Sequence, residues 1–355
     1  MPESHDITIA EVAQAAGVSV STVSRILNNR PDVAEATRQR VQQVIEDLGF
    51  SPHAQAQRLA AGKSRSIALL NPLQVKVMTY LEMGFFVGAA NAAAEENFFF
   101  SLATRPISED HLLSLYRSAQ VDGVILMEVY MNDSRVEMLR QHNYPFVMIG
   151  HCANNTGLHF IDFDFENAII KAFDHLVELG HQHIAFMAFS TQLQQAGFGP
   201  AVRAQAGYKK ALQKHGLEAI CVEVDMGVPD ISGAVVQLLD EHPELTGLVT
   251  VQIEETVGVI RALHQLGKTI PDDISVVAIA SEKTAQIVTP PLTATNFPTY
   301  EMGYRASKML VNLLKKEPLE ISQVLLPPDL IVRQSTGPVP NPAPKRAAIL
   351  ADTAR

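Results

Sequence analysis

The sequence predicts two architectures in one chain. A small all-α helix-turn-helix unit comes first, followed by an α/β body of two doubly wound parallel-sheet subdomains. Three observations predict it. Residues 8–49 carry three helical apolar stripes separated by short turn signals. From residue 66 onward, short apolar runs alternate with stretches of helical length, the rhythm of parallel strands wound with helices. That alternation passes through two successive series, and 355 residues leave room for two or three folding units at roughly 150 residues each.

Composition supports a folded, water-facing chain. Hydrophobic residues make up 47% and charged residues 19%, enough apolar material for a core. No apolar run reaches the roughly 18 residues of a membrane span. Residues 1–6 are polar with two acids, so no secretory leader is expected. Cys152 and Cys221 are the two cysteines, expected as free buried thiols in a reducing cytosol. His181 and His183 form the one close histidine pair. They read as loop and strand-start residues, and no metal site is expected. The net charge of −10 is unevenly spread. Residues 1–65 hold seven cations and seven acids, so the other 290 residues carry all of it. An acidic body repels DNA, which leaves any phosphate contact to the neutral end.

The first element is a helix over "IAEVAQAA". Thr8 followed by Glu11 has capping-box spacing, and Ile9, Val12, Ala13 and Ala16 make one stripe. Gly17 suits the positive φ that ends such a helix. Ser19 can cap the second helix. There Val23, Ile26 and Leu27 face inward, while Ser21, Arg25 and Asn28 share the opposite face. A third helix turns Val41, Val44, Ile45 and Leu48 inward and stops at Gly49. Its cap position holds Ala34, a poor cap partly offset by Glu35 near the positive helix end. Two short helices around a glycine turn, plus a third, make a helix-turn-helix unit. Hydroxyls at a helix N-terminus meet phosphates without bulk, and an arginine there can reach a guanine edge. A plain three-helix bundle with a solvated face has the same spacing. Next, "SPHAQAQRLAAGKS" opens with Ser51 as cap and Pro52 at the first helical position. Its one large apolar residue is Leu59. A helix this short is marginal in water, below the roughly 12 residues usually needed, and requires a partner. The other reading is a linker.

The order "TIAEVAQAAGVSVSTVSRILN…V…TRQRV…LGFSPHAQAQRLAAGKSRSIALL" resembles the N-terminus of the LacI/GalR family of bacterial transcription regulators. The match covers residues 7–70 with the spacing kept, and continues more weakly through about residue 335. The resemblance implies a homodimer on a palindromic double-stranded DNA operator. Each protomer places a recognition helix in the major groove, and hinge helices fold on the DNA. By position, Val20, Ser21 and Arg25 fall where the family reads bases. Thr8, Ser19, Thr22, Ser24 and Asn28 fall near phosphates. Leu59 falls at a minor-groove wedge of the kind that kinks a duplex, and Ala56 on the side where paired hinge helices approach.

In the body, "SIALLN" reads as a strand, followed by a helix over about 81–96, the strand "FFFSLA" and a helix through Tyr116. "VDGVILM" and "YPFVMIG" read as buried parallel strands. The second series starts with "AIIKAFDHLVELGHQHIAFMAF", a helix stopped at Gly180 and then a strand. It continues with a helix around 203–215, "TGLVTV", a helix to Gly267, "ISVVAIA" and a helix across 302–315. Two such series suit a ligand held between two subdomains. The resemblance implies the same, a periplasmic-binding-protein-like core. The expected domains are 1–50 for DNA binding, 51–65 for hinge and linker, and 66–336 for the core. The chain is expected to cross between subdomains near 160–165 and 290–298, and residues 337–355 to form a disordered, proline-rich tail.

No catalytic constellation, phosphate loop or zinc spacing is present, so neither an enzyme nor a cofactor is expected. Glu95–Glu96 and Glu254–Glu255 read as solvated helix faces, and His181 as structural. A solute-binding protein would share the core but leave residues 7–60 unexplained. The expected function is a cytoplasmic, DNA-binding transcriptional repressor controlled by a small molecule. Sugar-responsive members of the family carry an arginine, an Asn-Asp pair and an aspartate in the cleft. At those positions this sequence has Ala204 with Arg203 one step off, then Gln252 and Ile253, then Ala280. Gly150 and Phe297 stand where polar groups are common, and Glu82 is a further candidate. A polyhydroxylated ligand leaves about 1–3 kcal/mol unmet for each unpaired buried hydroxyl. A common neutral sugar is therefore not the expected effector, and the alternative is an ordinary sugar held by a divergent pocket.

Overall fold

The computed structural model describes residues 7–27, 30, 32–50, 64–72, 80–224, 231–317 and 322–339. Asn28, Ala56 and Leu59 lie outside them, as does the side chain of Glu82. The chain divides into two units, Met1–Ser64 and Arg65–Arg355.

The first unit packs α1 (Ile9–Ala16), α2 (Val20–Leu27) and α3 (Glu35–Leu48) around Val12, Ala13, Ala16, Val23, Ile26, Val41 and Phe50. The capping box at Thr8 is closed, with its N–H 2.7 Å from Glu11 Oε2 and the Glu11 N–H returning to Thr8 Oγ1. Gly17 takes φ +65°, and a Cβ there would meet nothing within 4 Å. Conformation alone therefore selects glycine at this turn. Ala34 makes no cap bond. Instead Arg38 Nη2 donates to the Arg30 carbonyl at 2.6 Å and ties the start of α3 to the preceding loop. Leu48, expected inside, is 37% exposed. After the left-handed Gly49, the Phe50 N–H returns to the Ile45 carbonyl, and the Phe50 ring fills the place under α3.

The second unit holds two six-stranded sheets. The first contains β1 (Ser66–Leu70), β2 (Phe99–Ala103), β3 (Gly123–Leu126), β4 (Phe146–Ile149), β5 (Phe160–Phe163) and the late β11 (Gln323–Leu326), in the order 11-5-4-3-1-2, all parallel. The second contains β6 (Ile184–Phe189), β7 (Ile220–Val224), β8 (Gly247–Thr250), β9 (Ser275–Ala280), β10 (Thr293–Asn296) and β12 (Asp329–Ile331), in the order 12-10-9-8-6-7, with only β12 antiparallel. The helices of the first series are α4 (Tyr80–Glu95), α5 (Glu109–Arg117) and α6 (Ser134–Gln141). Those that follow are α7 (Phe165–Glu178), α8 (Thr191–Gln195), α9 (Gly199–His215), α10 (Ser232–Glu241), α11 (Ile253–Gln265), α12 (Glu282–Ile287) and α13 (Thr299–Lys315). The chain passes between sheets at 164, at 297–298 and again at 327–328.

Helix α13 follows a strand of the second sheet but packs on α4 of the first subdomain. Gly303 permits this, because a Cβ there would stand 2.0 Å from the Phe85 carbonyl oxygen. The approach brings Lys308 to 3.0 Å from Glu95 and 2.8 Å from Glu96, and Lys315 to 2.5 Å from Glu96. The Glu95–Glu96 pair is therefore an anchor for α13 rather than a plain solvated face.

Residues 333–339 strap the base of the second sheet. His181 is buried, and burial pushes its imidazole below the usual range. The neutral ring donates from Nε2 to the Gly337 carbonyl at 3.0 Å, and Nδ1 pairs with the Thr246 hydroxyl at 2.9 Å. Ser335 bridges Thr293 and Val276, and the Val339 N–H donates to Leu179. The segment expected to be disordered from 337 is thus held by the core as far as Val339, because sheet and helix ends need its backbone groups. Of the two thiols, Cys152 is buried while Cys221, expected inside, is exposed on the edge strand β7.

Candidate DNA-reading helix and effector cleft

The outward face of α2 carries Val20, 46% exposed, with Ser21 and Arg25 beside it. The Ser19 hydroxyl accepts from the Thr22 N–H and lies 2.8 Å from the hydroxyls of both Ser21 and Thr22. This cluster sits where α2 presents its free N–H groups. Ser24 is half-buried on the flank, and Thr8 is occupied by its cap. Arg25 Nη1 lies 3.3 Å from Asp32 Oδ2, both side chains mostly exposed. An exposed pair of this kind contributes about 0–1 kcal/mol, so it parks the guanidinium without locking it.

In the core, the carboxyl ends of the two sheets face each other. The Met131 N–H donates to the Gly197 carbonyl at 2.7 Å and the Gly199 N–H to the Val129 carbonyl at 3.1 Å. Tyr130 and Phe198 form an antiparallel bridge between these segments, which follow β3 and β6. Arg203 reaches across from α9. Its Nη2 donates to the His151 carbonyl at 2.6 Å, and its Nη1 lies 3.8 Å from Asp162 Oδ2. His151 Nδ1 stands 2.7 Å from the same Asp162 oxygen. Arg203 thus holds the opposite subdomain.

The other cleft candidates separate. Ala204 is 1% exposed and packs in the main apolar cluster. Phe297, at the crossing, packs edge-on against Phe85 at 5.7 Å and Phe165 at 5.4 Å, and lies 5.0 Å from Phe163. Ile253 and Ala280 are buried in the second cluster. Gly150 has φ +110°, and a Cβ there would press on Val129 at 3.1 Å. Gln252 remains polar, with its Nε2 buried and unbonded.

One functional candidate escaped the sequence reading. Glu255, expected on a solvated face, is 3% exposed, while Glu254 stays outside. The signal was its register. Val259 and Ala262 follow it at i+4 and i+7, and both are buried, so the acid lies on the apolar stripe of α11. Both carboxyl oxygens are buried without a hydrogen bond, and burial pushes the group well above the usual carboxylate range.

Residues 8–53 match a family model described as bacterial regulatory proteins, lacI family. Residues 173–336 match one described as a periplasmic binding protein-like domain. The chain is 30% identical over 337 residues to catabolite control protein A of Priestia megaterium, covering 93% of this chain and 99% of that one. It is 31% identical over 350 residues to the HTH-type transcriptional regulator AglR of Rhizobium meliloti, covering 95% and 96%. A solved CelR–cellobiose complex matches with 27% identity, coverage of 93% and 99%, and a TM-score of 0.65. A lac repressor dimer bound to operator and anti-inducer matches with 23% identity, the same coverage and a TM-score of 0.80, which establishes the shared fold.

Proposed function

We propose, because the chain belongs to the LacI family of bacterial regulatory proteins, that this transcriptional regulator is a cytoplasmic repressor. It binds a palindromic operator as a homodimer and is released or recruited by a small molecule held between the core subdomains. The observation that carries this reading is the α2 face. Val20, Ser21 and Arg25 point outward from a helix whose inner side is fully used. Val20 and Ser21 meet base edges, Arg25 takes a guanine, and Ser19, Thr22, Ser24, Thr8 and Asn28 meet phosphates. Ala56 and Leu59 serve the hinge and minor groove. The homodimer uses the groove between α11 and α12, where Val257, Ile260, Ile287 and Val288 form an apolar strip bordered by Arg261, His264, Gln265 and Thr289. Selection of binding sites from random DNA tests the reading. A two-fold symmetric site that silences a downstream reporter is expected, and an asymmetric site or none overturns it.

The effector is not a common neutral sugar. Ala204, Ile253 and Ala280 offer no polar group, and Arg203 is engaged with His151. Calorimetry of the protein against pentoses, hexoses and disaccharides checks this, and micromolar binding of any of them overturns it. The likeness to a regulator solved with cellobiose favours the second reading, a sugar held by a divergent pocket.

A further inference from the structure

Among the unbonded buried polar atoms of the core, three belong to two side chains in one turn of chain at the carboxyl end of the second sheet. Gln252 is the N-cap of α11, and Glu255 is the third residue of that helix. Gln252 Nε2 and both carboxyl oxygens of Glu255 are buried without a hydrogen-bond partner. The Gln252 backbone N–H lies beside the carboxyl without closing a bond. The Thr256 hydroxyl, next in the chain, is already spent on the Gln252 carbonyl at 2.7 Å and on Thr250 at 2.7 Å. The charge Glu255 feels is itself acidic, Glu254 on its own helix, while Glu255 and Glu223 help to hold the Cys221 thiol of β7 above its usual range. Among the described residues no cation pairs with it. Glu223 has a partner, since its carboxylate accepts from the Thr191 N–H and hydroxyl.

A buried carboxyl with no cation and no side-chain donor is costly, and each such group in a folded protein calls for a reason. Here the geometry supplies one. The sheet end that carries Gln252 is the end turned toward the other subdomain, as the 129–131 and 197–199 contacts show. Gln252 at the N-cap and Glu255 at the third helical position sit on the first turn of α11, the pair of positions whose groups face each other across a helix start.

We propose that Glu255 and Gln252 form an amine-recognising subsite. The effector carries a primary ammonium group for the Glu255 carboxylate and a neighbouring oxygen for the Gln252 amide. The inference rests on the reading that the cleft holds the effector. It also gives the proposal against neutral sugars a positive counterpart, because a hydroxyl brings no charge to a carboxylate. Burial favours the protonated acid, and an ammonium ion favours the carboxylate, so the proton that the carboxyl gives up on binding passes to solvent.

The test is calorimetry of the full-length protein near pH 6, in two buffers of different ionisation enthalpy. The paired probes are D-glucosamine with D-glucose and putrescine with 1,4-butanediol. An amine is expected to bind at least ten-fold more tightly than its hydroxyl partner, with a release of protons that the hydroxyl partner does not show. Glu255→Gln, which keeps the shape, is expected to remove both the preference and the release while melting no lower than the natural protein. Equal affinity within both pairs, unchanged behaviour of Glu255→Gln, or no binding of either amine overturns the proposal. Gel shifts on DNA selected by the protein keep the underlying reading separate. A neutral sugar that binds and changes DNA affinity removes the amine but leaves a cleft effector. An amine that binds without changing DNA affinity supports the subsite and removes its control of DNA.

Discussion

Arg25 and Glu255 show how far single residues could be read. The helical spacing that set Arg25 opposite Val23 and Ile26 was visible in the sequence, and its side chain is 60% exposed. Its engagement with Asp32 was not visible, because that pair closes across a loop. If Arg25 takes a guanine, Arg25→Ala costs about 1–3 kcal/mol on the specific site and little on random DNA. Gel shifts on both check it, and equal loss on both makes Arg25 a phosphate contact. Glu255 was misread because a glutamate beside another glutamate suggests solvent, while its register with Val259 and Ala262 says core. Its stability signature has a definite sign. A carboxyl pushed up by burial binds its proton more tightly folded than unfolded. Stability therefore falls as pH rises above the ordinary carboxylate range, at up to about 1.4 kcal/mol per pH unit. Glu255→Gln is expected to raise the melting temperature at pH 8 and to match the natural protein near pH 4. A difference that does not change with pH removes the buried-acid account.

At the scale of elements, legibility followed apolar run length. The strands "SIALL", "GVIL", "FVMI", "IAFMAF", "GLVT" and "SVVAIA" are buried along nearly their whole length. Such runs announce themselves. The strands β5, β10 and β12 did not. β5 carries Asp162, whose carboxylate is used by His151 and Arg203. β10 is "TATN", with both threonines buried and Thr293 bonded to Ser335 and Thr336 of the C-terminal strap. β12 follows Pro327 and Pro328 and takes the third crossing, which no local pattern marks. Helix α13 was legible as a helix, but its home in the first subdomain was not. That home depends on glycine at 303. Gly303→Ala puts a methyl group into the Phe85 backbone, and overpacking of this kind costs about 1–3 kcal/mol. Urea unfolding is expected to show a midpoint shifted down with the slope unchanged. A neutral effect means α13 and α4 can part without loss.

At the scale of the whole molecule, the charge distribution and the apolar groove bear on one question, how an acidic protein holds a DNA site. Residues 66–355 carry the chain's entire net charge of −10, so that part of the chain opposes DNA binding. One small neutral helix-turn-helix unit offers few cations of its own, and the proposed homodimer sets two such units on one symmetric site. For that pairing the groove of α11 and α12 has the features needed. Ile287 is 68% exposed and Val257 39%, an apolar surface that a monomer in water has no reason to display together. Arg261 already lines this groove, and a second arginine in its apolar strip should break the pairing, since a buried unpaired charge costs several kcal/mol. Ile287→Arg is therefore expected to run as a monomer in light scattering at micromolar concentration. It should keep its folded spectrum and weak binding to random DNA, and lose specific binding ten-fold or more. A protein ended after Val339 is expected to stay dimeric, because the groove lies wholly within the core. If Ile287→Arg remains a dimer, the pairing surface lies elsewhere. If the shortened protein falls to a monomer, residues beyond 339 hold the dimer together and the groove is left without a role.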